Sequence, residues 1–128
     1  MPGQIETQMT GVVRLKTRPQ FLFVRAGISE RRRALVIQAR QRRDGSAQIG
    51  AGFTATKKVG NSVVRNRAKR RLRAAADQLL AKHGIPGVDY VFIARMETAT
   101  IGWQRLLDDM ESALISLAAM IQARAGHG

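Results

Sequence analysis

The stretch from Lys57 to Arg73, KKVGNSVVRNRAKRRLR, constrains this chain more than any other, with eight basic side chains and no acidic one. From Ser62 onward it has the periodicity of a helix. Val64, Ala68, Leu72, Ala75, Ala76 and Leu79 recur at helical spacing and make an apolar stripe that can face a core. At about 100° per residue, Arg65, Lys69 and Arg73 stack one above another with Asn66 and Arg70 beside them, while Arg67 and Arg71 fall on the opposite flank. Like charges one turn apart destabilise a helix by about 0.2–0.5 kcal/mol per pair, and cations in the first turns oppose the helix dipole. A helix kept only for solubility interleaves glutamate, and this one has no carboxylate before Asp77. An external polyanion removes the penalty. The pattern points to nucleic acid.

Charge distribution supports that. The chain of 128 residues has a net charge of +13. Residues 1–76 hold 18 basic and 3 acidic side chains, a net of +15, whereas residues 77–128 hold 4 and 6, a net of −2. One sector is a cation field, as in proteins that bind a phosphate backbone. The absence of cysteine excludes a disulfide framework, a thiol nucleophile and a thiolate zinc site. No apolar run approaches membrane-spanning length, and Met1–Lys16 lacks the apolar centre of a secretory signal. The expectation is a cytoplasmic protein with one domain over residues 14–124, a disordered arm over 1–13 and a tail over 125–128.

Along the chain, Thr17-Arg18-Pro19 reads as a helix start, running through Phe21, Leu22, Val24 and Arg25 to a stop at Gly27. Phe21 and Phe23 suit either core packing or stacking of an unpaired base. Ala34–Arg40 and Ala47–Thr56 read as strands, joined by the Arg42–Ser46 turn into an antiparallel hairpin. Gly50 and Gly52 weaken the second strand unless something must approach its backbone closely. Asn61 is the natural cap of the basic helix, which ends at Gly84. Tyr90–Ala94 is a nearly all-apolar strand suited to the middle of a sheet. Thr100 caps a last helix whose core stripe is Trp103, Leu106, Leu107, Met110, Leu114, Leu117 and Ile121. The fold class is α+β, with the order α-β-β-(β)-α-β-α, a two-layer sandwich on a mainly antiparallel sheet.

No catalytic constellation stands out. His83 and His127 have no obvious partners and read as spare surface histidines. Asp108, Asp109 and Glu111 fall on the polar side of the last helix beside Arg105, which makes a solvated face the better reading than a metal pair. A protein-only nuclease needs clustered carboxylates or histidines, and the basic half has none. A ribosomal or architectural RNA binder without a processing role is the rival that composition alone allows.

The block Lys57-Lys58-Val59-Gly60-Asn61 followed by Arg65-Asn66-Arg67 and Lys69-Arg70-Arg71-Leu72-Arg73 closely resembles the signature of the bacterial ribonuclease P protein subunit. Arg14-Leu15-Lys16 with Phe21 looks like the family's basic N-terminus and first helix, and Asp89–Arg95 like its last strand. The resemblance implies a β-α-β crossover through the basic helix that is left-handed, against the general rule. It implies an accessory subunit of a magnesium-dependent RNA enzyme that removes the 5′ leader of precursor tRNA. The chemistry would be carried by the RNA and its bound Mg2+, and not by protein side chains. By the same resemblance Arg65, Asn66, Arg67, Lys69, Arg70, Arg71 and Arg73 contact the catalytic RNA or its phosphates. Phe21, Arg25, Val36, Gln38, Lys57 and Lys58 line the leader cleft, with Arg14, Lys16, Arg18 and Arg95 as auxiliary cations. The implied partners are the catalytic RNA and precursor tRNA, with no required protein partner and no membrane. Where some family members carry aromatics, this chain has Arg25 and Gln38.

Overall fold

The computed structural model describes residues 11–127. Its elements are β1 (Val12–Arg14), α1 (Arg18–Arg25), β2 (Ile28–Arg31), β3 (Leu35–Gln41), β4 (Ile49–Thr54), a 3-10 turn (Lys57–Val59), α2 (Ser62–His83), β5 (Val88–Ala94) and α3 (Trp103–His127). The strands form one sheet in the order β1-β4-β5-β3-β2. β3 pairs antiparallel with β2 and β5, and β4 pairs parallel with β1 and β5. Antiparallel ladders supply eleven of the nineteen aligned residue pairs, which is the mainly antiparallel α+β sheet expected.

Strand alternation divides the sheet into two faces. Leu35, Ile37 and Ala39 of β3, Ala51 of β4, and Val88, Tyr90, Phe92 and Ala94 of β5 point into the main core. α2 closes that core with Ala68, Leu72, Ala75, Ala76, Leu79 and Leu80, and α3 with Leu106, Met110, Ala113, Leu114, Leu117 and Ile121. Phe53 stacks on Phe92 at 5.3 Å between ring centres. Each fully buried leucine contributes about 1.5–3 kcal/mol. α1 lies on the other face, where Leu15, Val24 and Val91 make a smaller cluster with Phe21, Phe23 and Ile93 packed on it.

The entrance to α1 is closed by Gln20, whose Oε1 accepts from Lys16 N at 2.8 Å and Thr17 N at 2.9 Å. Gly52 is what lets α1 sit on the sheet. A Cβ there would stand 2.7 Å from Phe21 Cζ and 3.2 Å from Leu15 Cβ. The close approach that the strand glycines implied is therefore made by this chain's own side chains.

Four expectations need correction. β3 and β4 are not a hairpin, because β5 inserts between them. Val88–Ala94 is apolar on nearly every position and needs partners on both edges, so it takes the centre. The wide β3–β4 loop is held instead by Arg42, which pairs with buried Asp89 at 2.5 Å and with Asp44 at 3.1 Å, and donates to the carbonyls of Ser46 and Gln48. Burial works to lower the Arg42 pKa, and the hydrogen bonds and charges of Asp89 and Asp44 more than offset it, holding the pKa above its ordinary value.

The expected N-terminal arm is shortened, since Val12 and Val13 pair with Ile49 and Gly50 in β1; the rest of it, residues 1–10, lies outside the described residues. α3 starts at Trp103 rather than after a Thr100 cap and runs to His127, into the expected tail. Trp103 itself leaves the core stripe and is 38% exposed, with its ring beside the Arg71 guanidinium.

Replacing Gly52 with alanine is expected to lower unfolding free energy by about 1–3 kcal/mol, through displacement of Phe21 and Leu15. Denaturant unfolding monitored by circular dichroism tests this, and an unchanged midpoint would mean that α1 is not seated on β4.

Candidate nucleic-acid interface

The Lys57–Asn61 segment is a mould for the start of α2. Val59 is buried and anchors the 3-10 turn, leaving Lys57 and Lys58 exposed. Gly60 takes φ 149°, a conformation that glycine supplies, and a Cβ there would press on Val64 at 3.0 Å. Asn61 Oδ1 then accepts from Val64 N at 3.0 Å, capping the helix as expected. The helix ends at Gly84, whose N–H donates to Leu80 O.

With the apolar stripe inward, the cations leave α2 in two directions. Arg67 and Arg70, with Asn66, are exposed; Arg65, Lys69 and Arg73 are half-buried along the flank that faces β1 and β4. Arg73 and Arg14 lie 5.9 Å and 5.4 Å from the centre of the Phe53 ring. Among the described residues, none of Arg65, Arg67, Lys69, Arg70 and Arg73 pairs with a carboxylate. The Nε atoms of Arg65 and Arg73 are shielded from solvent without a hydrogen-bond partner among the described residues. Most of the acids among the described residues are engaged with other groups, Glu30 on Arg32, Glu97 on Arg33, Asp44 and Asp89 on Arg42, and Asp109 on Arg105, while Asp77 stands exposed further along α2. The result is a ridge of open cations.

Arg71 is the exception among the expected RNA contacts. Its guanidinium donates to Thr98 O at 2.6 Å and Ile101 O at 2.5 Å, and it lies 5.9 Å from the Trp103 ring centre. It ties α2 to the β5–α3 loop. Arg95 is similarly engaged, donating to Arg32 O at 2.7 Å. Lys16, just before α1, and Arg18, its first residue, are exposed.

The opposite face of the sheet carries the second site. Register aligns Ser29, Gln38, Val91 and Gly52 in one row, and Arg31, Val36, Ile93 and Thr54 in the next. Phe21 rests on the Gly52 end of the first row, so Phe21, Val36 and Gln38 share one face, as expected. Lys57 and Lys58 follow Thr54 at its upper end, and Arg25 is exposed at the end of α1. Phe23 is closed off: Arg40 stacks on its ring at 4.3 Å and donates to its carbonyl at 3.1 Å. The floor is a shallow polar and apolar strip with cations at its ends, suited to an extended strand whose bases are unpaired.

Sequence reasoning missed Arg31, exposed on this face, because β2 is only four residues long and sits among charges that look like a loop. It also misread two acids and a histidine. Asp109 is buried and accepts from Ala34 N at 3.0 Å, and His83 Nε2 lies 2.9 Å from Glu111 Oε2. Both are structural ties between α3 and its neighbours, which helical periodicity could not reveal.

Residues 9–118 match the family model described as Ribonuclease P. The chain is 56% identical over 106 residues to the ribonuclease P protein component of Caulobacter vibrioides, covering 83% of this chain and 71% of that protein. It is 46% identical over 112 residues to the component from Ruegeria pomeroyi, covering 86% and 90%. Among solved structures, the Staphylococcus aureus RNase P protein superimposes with a TM-score of 0.68 at 25% identity, covering 81% of this chain and 94% of that one. The Thermotoga maritima protein shares the fold, with a TM-score of 0.62 at 24% identity over 77% and 91% of the two chains.

The two kinds of arginine on α2 are separable by stability. Arg71→Ala is expected to cost about 2–3 kcal/mol, since it removes charge-assisted bonds to two carbonyls. Arg67→Ala is expected to stay within about 0.5 kcal/mol of the parent. Denaturant midpoints measure both, and equal effects would mean that Arg71 is not a tie.

Proposed function

The chain belongs to the bacterial ribonuclease P protein family, and from that premise we propose that its two basic faces hold the two RNAs of the reaction. It is the protein subunit of ribonuclease P, an accessory subunit of an endoribonuclease, and its partner is the ribonuclease P RNA. Family membership sets aside the rival of an RNA binder without a processing role.

The reading of the α2 ridge is that Arg65, Asn66, Arg67, Lys69, Arg70 and Arg73 meet phosphates of the catalytic RNA near the cleavage site. The observation that carries it is the row of α2 cations, none of which pairs with a carboxylate among the described residues. The opposite face, with Phe21, Val36, Gln38, Arg25, Lys57 and Lys58, takes the single-stranded 5′ leader of precursor tRNA. Phosphate contacts fix register while the strip between α1 and β3 accepts unpaired bases. Arg31 joins this wall. Arg71 and Arg95 serve chiefly to hold the loops behind the interface, and Arg14, Lys16 and Arg18 add local positive field.

Mg2+ supplies the chemistry of phosphodiester hydrolysis, and we assign it to the RNA. Among the described residues no three histidine, cysteine, aspartate or glutamate side chains are grouped to hold a metal ion, and the α2 cations repel one. The protein's part is to lower repulsion between two polyanions and to grip the leader, in the cytoplasm where precursor tRNA is made. Among the described residues no helix is long and apolar enough to cross a membrane.

The test is cleavage of a leader-bearing precursor tRNA at low magnesium by the RNA alone, the RNA with protein, and the protein alone. Activity is expected in the combined reaction only. The combined Arg65→Glu and Arg67→Glu change is expected to weaken RNA binding at least about tenfold. Equal improvement of affinity for substrates with and without a leader would refute the leader face.

A further inference from the structure

We infer that Trp103, at the start of α3, is a stacking platform for an unpaired nucleotide of the ribonuclease P RNA. The inference rests on the reading of α2 as an RNA-binding helix and extends it to a second element.

Three large apolar side chains are exposed on α2, the β5–α3 loop and the start of α3: Val63 at 70%, Met96 at 74% and Trp103 at 38%. Val63, Arg67 and Arg71 form one stripe, each a turn beyond the last. Arg71 reaches from this stripe to the β5–α3 loop, binding the carbonyls of Thr98 and Ile101 and lying over the Trp103 ring. Met96 stands on the same loop, in the turn closed by Thr98 N and Arg95 O at 3.0 Å. The indole is thus backed by a guanidinium that is itself pinned.

A tryptophan in the first turn of an amphipathic helix ordinarily points inward, and this one follows the core period in sequence yet stays out. The rim decides the occupant. Arg67 and Arg70 are exposed beside the stripe without carboxylate partners among the described residues. The loop's own Glu97 is bound to Arg33 at 2.9 Å. An exposed aromatic against Arg71, with the open cation Arg67 one turn away on the same helical stripe, matches a base with its phosphates. The face is also on the α2–α3 side of the sheet, away from Phe21 and Gln38, which makes the catalytic RNA the partner rather than the leader.

Trp103 is the chain's single tryptophan, so its fluorescence reports on this site alone. The protein is titrated, at fixed salt, with its cognate ribonuclease P RNA and separately with a single-stranded leader oligonucleotide, while gel shift follows binding. Quenching and protection from acrylamide are expected with the RNA and not with the leader. Trp103→Ala is expected to weaken RNA binding about tenfold, with Trp103→Phe retaining most of it. Circular dichroism checks that the variants fold. Met96→Glu, at a largely exposed position, is an independent variant that is expected to weaken RNA binding as well. RNA bound with unchanged fluorescence, equal quenching by the leader, or a folded Trp103→Ala with parental affinity overturns the inference. An acidic protein that quenches where the RNA does not overturns it in favour of a protein partner. Failure of the parent protein to bind the RNA overturns the reading of α2 as well.

Discussion

Uncompensated like charge on α2 is the constraint that the rest of the structure answers. The pairs Arg65–Lys69, Lys69–Arg73 and Arg67–Arg71 together cost about 1 kcal/mol. Against this stand the burial of Leu72 and Leu79, each worth about 1.5–3 kcal/mol, and the Asn61 cap, worth about 1 kcal/mol. The inner face and the cap outweigh the outer face. A helix so held needs no carboxylate among its cations, Asp77 being its first, and most of the chain's other acids are spent elsewhere. Asp89 and Asp44 staple the wide β3–β4 loop through Arg42, and Asp109 closes the start of β3 through Ala34.

The sheet separates the two basic faces, and its register keeps them separate. A one-residue slip of β3 would turn Leu35, Ile37 and Ala39 outward and bury Val36 and Gln38 against α2 and α3. Gly52 sits where the α1 face needs backbone without a side chain, so that Phe21 can lie flat on β4. The β4-α2-β5 unit then carries the cation ridge across the other face. Two surfaces of opposite aspect, one a ridge and one a strip, come from one five-stranded sheet.

Local features were legible in the sequence, and pairings across distance were not. The cap at Asn61, the stop at Gly84, the stripe from Ala68 to Leu79 and the entrance at Thr17 depend on neighbours within a turn. The order of strands does not. Arg42–Ser46 has the chemistry of a hairpin turn, and only the greater demand of Val88–Ala94 for two partners moves β5 between β3 and β4. Among the site residues, the α2 cations follow from periodicity, whereas the grouping of Phe21, Val36 and Gln38 came from the family resemblance. The tie made by Arg71 depends on carbonyls about thirty residues away, at Thr98 and Ile101. Periodicity assigned Trp103 to the core because it cannot see the Arg71 guanidinium that meets the ring from another helix.

Charge and stability are linked through these same arginines. A polyanion that binds only the folded state stabilises it by RT ln(1 + L/Kd), where L is its free concentration, and so more as L rises above Kd. The cations of the ridge therefore oppose folding of the free chain slightly and favour it in the complex. Arg71 and Arg42 differ in kind, because their guanidinium groups are consumed by carbonyls and a buried carboxylate and support the fold in either state. Neutralising a ridge cation and cutting a tie thus push the free protein in opposite directions. A chain with 22 basic and 9 acidic residues can hold a rigid shape and an open charge field together because only some of its arginines are answered from within.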